Sequence, residues 1–212
     1  MNTRRSVAWE LAAIAAAALL FVATVRVRPP YIDFVLAAAA VALIVGTATR
    51  SRKLWTLAPA AEPNAIRRAW RTNALFTAVA LAVLAALAAV VAHLGGIDWT
   101  ERFGNWHWFL AVPLYLAWAL LQQYIFQFYW LGRWLQLVPA PVAVGLTALS
   151  FAAVHFPRWP VMILTSIAGV VWTVSYLRWR RLLPLAVSHA LLGASLHYWV
   201  FGRDLLEAWL PF

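Results

Sequence analysis

Seven apolar runs, each near the length of a bilayer crossing and separated by short links rich in arginine, decide what this chain can fold into. A helix needs about 20 largely apolar residues to cross the hydrocarbon core, and the runs fall at residues 7–25, 31–48, 73–94, 108–130, 142–156, 160–177 and 182–201. The pattern predicts an all-α protein, a polytopic transmembrane helix bundle of about seven spans (six to eight). The fifth run is short and the link Phe156-Pro157-Arg158-Trp159-Pro160 is tight, so that hairpin reads as buried or re-entrant. The chain is 65% hydrophobic and 11% charged, with a mean hydropathy of +0.77. An ordinary soluble domain is about half apolar and a quarter charged. Along the chain, residues 1–107 read as accessory spans with a basic cytoplasmic loop, 108–201 as a core, and 202–212 as a short tail.

The net charge of +10 invites a nucleic-acid reading, but the cations sit between apolar spans, where they set topology and meet anionic headgroups. No nucleic-acid partner is expected; membrane lipids are. With the N-terminus inside, the cytoplasmic side collects Arg4, Arg5, Arg50, Arg52, Lys53, Arg67, Arg68, Arg71, Arg133, Arg178, Arg180 and Arg181. The other side keeps Arg26, Arg28, Arg102, Arg158 and Arg203, which predicts N-in and C-out. No small-x-small cleavage site precedes Arg26, so the first run reads as an uncleaved anchor. Arginine supplies all the basic residues but Lys53, a bias compatible with a high-GC bacterial genome and so with a bacterial inner membrane. Many of the 14 tryptophans stand near span ends, as in an interfacial aromatic belt. The segment Ile66-Arg67-Arg68-Ala69-Trp70-Arg71 reads as a stretch lying in the headgroup plane. Cysteine is absent, which excludes thiolate catalysis, disulfides and iron–sulfur ligation.

The seven acids are Glu10, Asp33, Glu62, Asp98, Glu101, Asp204 and Glu207, and none falls at mid-membrane in this reading. A carboxylate general base or a carboxylate-bridged metal pair would need one there. Polar chemistry inside the bilayer must come from other groups. Gln122, Gln123 and Gln127 lie together in the fourth run, and each brings two donors and an acceptor that are costly to bury without partners. His155, His189 and His197 lie in the fifth and seventh runs. Phe151 and His155, four apart, share a helical face, and Gly193 leaves bare backbone one turn from His189. At 1.5 Å per residue, Gln122 and His189 lie roughly 9 Å from the cytoplasmic boundary and His155 roughly 20 Å from it. Histidines without a carboxylate are a thin ligand set for zinc, so neither a metal nor any cofactor is expected.

The ordered set Gln122-Gln123-x-x-x-Gln127, Phe151-x-x-x-His155 and His189-x-x-x-Gly193 resembles the CPBP family, the CAAX proteases and bacteriocin-processing, Abi-like enzymes. That family carries Glu-Glu-x-x-x-Arg, then Phe-x-x-x-His, then His-x-x-x-Asn, and the likeness covers about residues 110–200. It implies intramembrane proteolysis by a glutamate that activates water, with the histidines and asparagine supporting the water and the oxyanion. On this chain Gln122 takes the place of the catalytic glutamate and Gln123 that of the second glutamate. Gln127 replaces the arginine and Gly193 the asparagine, while Phe151, His155 and His189 are kept. Acid and counter-charge are absent together, which leaves a neutral polar network and no unpaired buried charge.

An amide is not a usable general base near neutral pH. The expected function is therefore that of a CAAX-protease-like membrane protein with weak or no proteolysis, binding or assisting a transmembrane or lipidated protein partner. Three other readings stay open: an intramembrane endopeptidase using histidine as base, a site that binds or modifies a lipid or small apolar ligand, and polar residues serving only as interhelical glue.

Overall fold

The computed structural model describes residues 3–24, 38–39, 41–47, 49 and 64–209, and these are all-α. The elements are α1 (Thr3–Thr24), α2 (Ala65–Gly95), α3 (Trp99–Phe103), α4 (His107–Gln123), α5 (Leu131–Trp134), α6 (Ala140–Ala153), α7 (Trp159–Trp179), α8 (Leu183–Ser195) and α9 (Leu205–Trp209). Two π-helical segments interrupt them, Tyr124–Trp130 after α4 and Leu196–Val200 after α8.

Among the described residues, three stretches are long and apolar enough to cross a membrane: Ala65–Gly95, Trp99–Trp134 and Trp159–Trp179. Half of the predicted span at 31–48 lies outside the described residues, as do Asp33, Glu62, Arg26, Arg28, Arg50, Arg52 and Lys53. The fifth predicted span becomes α6, whose 14 residues rise only about 21 Å against a core of about 30 Å. It ends in a turn that includes the cis Phe156–Pro157 peptide. The link 156–160 is exposed within the described residues, so the expected burial of the hairpin is not found. The basic stretch 66–71 forms the opening two turns of α2 and continues into the span, so it is no separate surface helix.

The described residues fall into two compact units. One holds Glu62–Gln123 and Arg181–Phe212, with α2, α3, α4, α8 and α9. In it α2 presents Leu75, Val79, Val83, Leu87, Val90 and Leu94 outward at helical spacing. Such a stripe would be a liability in water and is the natural face toward lipid tails. The opposite stripe of α2, Ala69, Asn73, Thr77, Leu84, Ala88 and Ala92, is buried. Small side chains there admit close helix packing, and Thr77 donates to Ser188 Oγ of α8 at 2.7 Å. Glycine stops α2: Gly96 takes φ 61, the left-handed conformation a helix end favours, while Ile97 N–H closes back on Ala92 O at 2.9 Å.

The other unit holds the described residues of Met1–Ala61 and Tyr124–Arg180, with α1, α5, α6 and α7. Here α6 and α7 pack with Gly169 against Ala148, so closely that a β-carbon on Gly169 would lie 3.1 Å from Ala148 Cα. Phe151 is fully buried and meets Trp172, Phe126 and His155 edge-on, with ring centroids 5.7, 5.0 and 5.4 Å away.

Candidate functional site

In the first unit, α4 delivers a stripe of Tyr115, Ala119 and Gln123, each four residues after the last. This stripe faces α8, where Ala119 packs with Ala186 and Ala190. The small residues bring the backbones close, so the polar side chains at the two ends of the stripe lie against α8 as well. Gln123 is fully buried and its amide nitrogen stands 3.4 Å from His189 Nδ1. With the amide so oriented, its NH2 group donates to Nδ1. Gln123 Oε1 has no hydrogen-bond partner among the described residues, nor does Oε1 of the half-buried Gln122. The sequence set Gln122 and His189 at one depth; the side chain that meets His189 is that of the neighbouring Gln123. His189 is buried and lies edge-on to the Tyr115 ring at 5.7 Å. One turn along α8, Gly193 faces Tyr115.

The same unit carries a polar node that sequence reasoning passed over. Asp204 Oδ2 accepts from Asn105 Nδ2 at 2.9 Å and from His107 Nδ1 at 2.6 Å. Its Oδ1 accepts from the Tyr198 hydroxyl at 2.7 Å and from Leu206 N–H at 2.8 Å. Burial opposes the negative charge, but the hydrogen bonds from Tyr198, Asn105, His107 and Leu206 outweigh it and hold the Asp204 carboxyl well below the usual carboxylate range. Asp204 thereby ties the start of α9 to the residues before α4. Among the described residues, His107, Asp204 and Glu207 bring potential ligand atoms within 4.8 Å of one another. With Glu207 N–H at 3.4 Å from Oδ1, the Asp204 oxygens already receive five donors there, which fits a helix-end clamp and not the empty lone pairs a cation requires. A carboxylate three residues past an apolar run, with a histidine just before another, is the signal that would have found it.

In the second unit, His155 ends the turn after α6 and its Nδ1 lies 2.9 Å from Phe151 O. A carbonyl only accepts, so Nδ1 carries the proton and Nε2 keeps its lone pair. Gln127 falls in the π-helical segment, fully buried, with neither amide atom hydrogen-bonded among the described residues. π-helical turns recur at functional sites because the extra residue per turn re-aims the side chains. Nothing in the apolar run marked this one. The unit also holds an ion pair: Arg133, buried on α5, meets Glu10 of α1 at 2.9 Å, and Tyr129 donates to the same carboxylate. His197, placed by its sequence in the seventh run, sits in the π-helical segment after α8 with its ring edge-on to Phe201.

These features define an all-α membrane protein that gathers amides, imidazoles and a phenol on apolar helices. Residues 104–195 match the model of a protein family, Rce1-like, described as Type II CAAX prenyl endopeptidase Rce1-like. Over that stretch the chain is similar to the CPBP/CAAX protease family. The matched stretch includes Gln122, Gln123, Gln127, Phe151, His155, His189 and Gly193. No curated protein and no solved structure matches the chain.

Proposed function

We propose that this protein is a CAAX-protease-like membrane protein that binds or assists a membrane-embedded or lipidated protein partner, with weak or no proteolysis. One observation carries the reading: the fully buried side chain set against His189 is the amide of Gln123. Water activation at neutral pH needs a group that takes a proton, and an amide does not. Amide and imidazole together still offer uncharged hydrogen bonds in a low dielectric, enough to hold a carbonyl or amide of a bound chain. The protein acts in this reading from a bacterial inner membrane, N-terminus inside, without a cofactor. The test is reconstitution in liposomes with a quenched fluorescent prenylated peptide and a photocrosslinking version of it. Crosslinking without cleavage above protein-free liposomes is the expected result. Cleavage that disappears in His189→Ala would overturn it.

A second reading, an endopeptidase with histidine as base, draws support from His155, whose Nδ1–H is committed to Phe151 O and whose Nε2 is left able to take a proton. It requires cleavage that is lost in His155→Ala and indifferent to Gln122→Glu.

A further inference from the structure

The Gln123–His189 contact has a neighbour that the motif pattern does not contain. Position 193 bears no side chain, and a β-carbon built there would lie 2.6 Å from Tyr115 Cε1, 3.0 Å from Cζ and 3.1 Å from the phenol oxygen. A phenol ring cannot fold away as a flexible chain end would, so only glycine allows Tyr115 to stand where it does. The space one turn beyond His189 is filled from the facing helix, by a rigid ring carrying a hydroxyl.

We propose that Tyr115 is a positioning residue of this site: seated on Gly193, it fixes the His189 ring and sets a phenol hydroxyl beside it. Three further observations support the assignment. The Tyr115 and His189 rings meet edge-on at 5.7 Å, with planes 85° apart, a geometry in which one ring limits rotation of the other. Tyr115 shares a helical stripe with Gln123, whose amide meets the Nδ1 edge of the same imidazole. The close packing of Ala119 on Ala186 and Ala190 fixes the register between α4 and α8, so Tyr115 and Gln123 address His189 and Gly193 as a set. His189 is thereby held between an amide and a phenol. The reading rests on the proposed function only for what the site then binds; the positioning itself is a property of α4 and α8.

Protein carrying nitrogen-labelled histidine, in lipid nanodiscs, reports the His189 tautomer and ring environment by NMR, with His189→Gln supplying the assignment. Gly193→Ala, which forces the ring off its seat, is expected to shift the His189 nitrogen signals. Tyr115→Leu in that background relieves the overlap but leaves the shift, because the ring is gone. Tyr115→Phe keeps the ring and is expected to keep the His189 tautomer and the melting temperature. Its affinity for a dansylated farnesyl-cysteine peptide should fall about fivefold, the loss of one neutral hydrogen bond. His189 signals unchanged in both Gly193→Ala and the double variant overturn the positioning role. Unchanged peptide affinity in Tyr115→Phe overturns the part given to the hydroxyl. If wild-type protein does not bind the peptide, the proposed function fails, and the NMR comparison alone decides the role of Tyr115.

Discussion

Gln123 shows what a single residue fixes in this molecule. It is fully buried, so replacing its amide with a carboxylate places a charge out of reach of water, beside an imidazole. Gln123→Glu is expected to cost about 3 kcal/mol or more, read as a lower melting temperature in detergent. Gln122→Glu, at a half-buried position, should cost less. The glutamines and histidines were legible in the sequence because a polar side chain in an apolar run stands out against its neighbours. Tyr115 was not. A tyrosine is unremarkable in a membrane span, and its partner Gly193 is brought to it only by the packing of α4 on α8. Spacing alone put Gln122 and His189 at one level, whereas the side chain set against His189 is that of Gln123.

Among the helices, close approach and end clamps carry the arguments. A β-carbon at Gly169 would press to 3.1 Å from the Ala148 backbone. Gly169→Val should therefore destabilise by about 1–3 kcal/mol, seen as earlier thermal aggregation, while the exposed Val170→Ala changes little. At the start of the chain, Glu10 faces the buried Arg133 and accepts from Tyr129. Glu10→Ala is expected to expose α1 to limited proteolysis at protease concentrations the parent resists. At the other end, Asp204 titrates below its ordinary range because donors surround it. Its contribution is complete above about pH 4, where the carboxyl of an unfolded chain is ionised, and is lost as pH falls from there through the folded value. The melting temperature of the parent should fall over that acid range by more than that of Asp204→Asn, whose amide does not titrate. The sequence marked where helices run, since apolar runs have a fixed length requirement. It did not mark the π-helical segments, because a single extra residue per turn leaves hydrophobicity unchanged.

For the whole molecule, the fold class followed from one physical rule: backbone polar groups in hydrocarbon must be satisfied within the segment, and apolar runs of this length therefore become helices. The grouping into two compact units did not follow from it. Each unit joins segments far apart in sequence, and periodicity reports only which face of a helix is apolar, not which helix covers it. The Rce1-like stretch, 104–195, draws on both units.

The length of α2 has a consequence of its own. Its 31 residues rise about 46 Å, well beyond a hydrocarbon thickness of about 30 Å. The 24 residues from 72 to 95, past Arg67, Arg68 and Arg71, still measure about 36 Å, long enough to span with some tilt. A thicker bilayer rights the helix and a thinner one lays it flatter. Thr77 of that helix holds Ser188, the residue before His189. The protein is therefore expected to show different His189 NMR signals in short-chain and long-chain nanodiscs of the same headgroup.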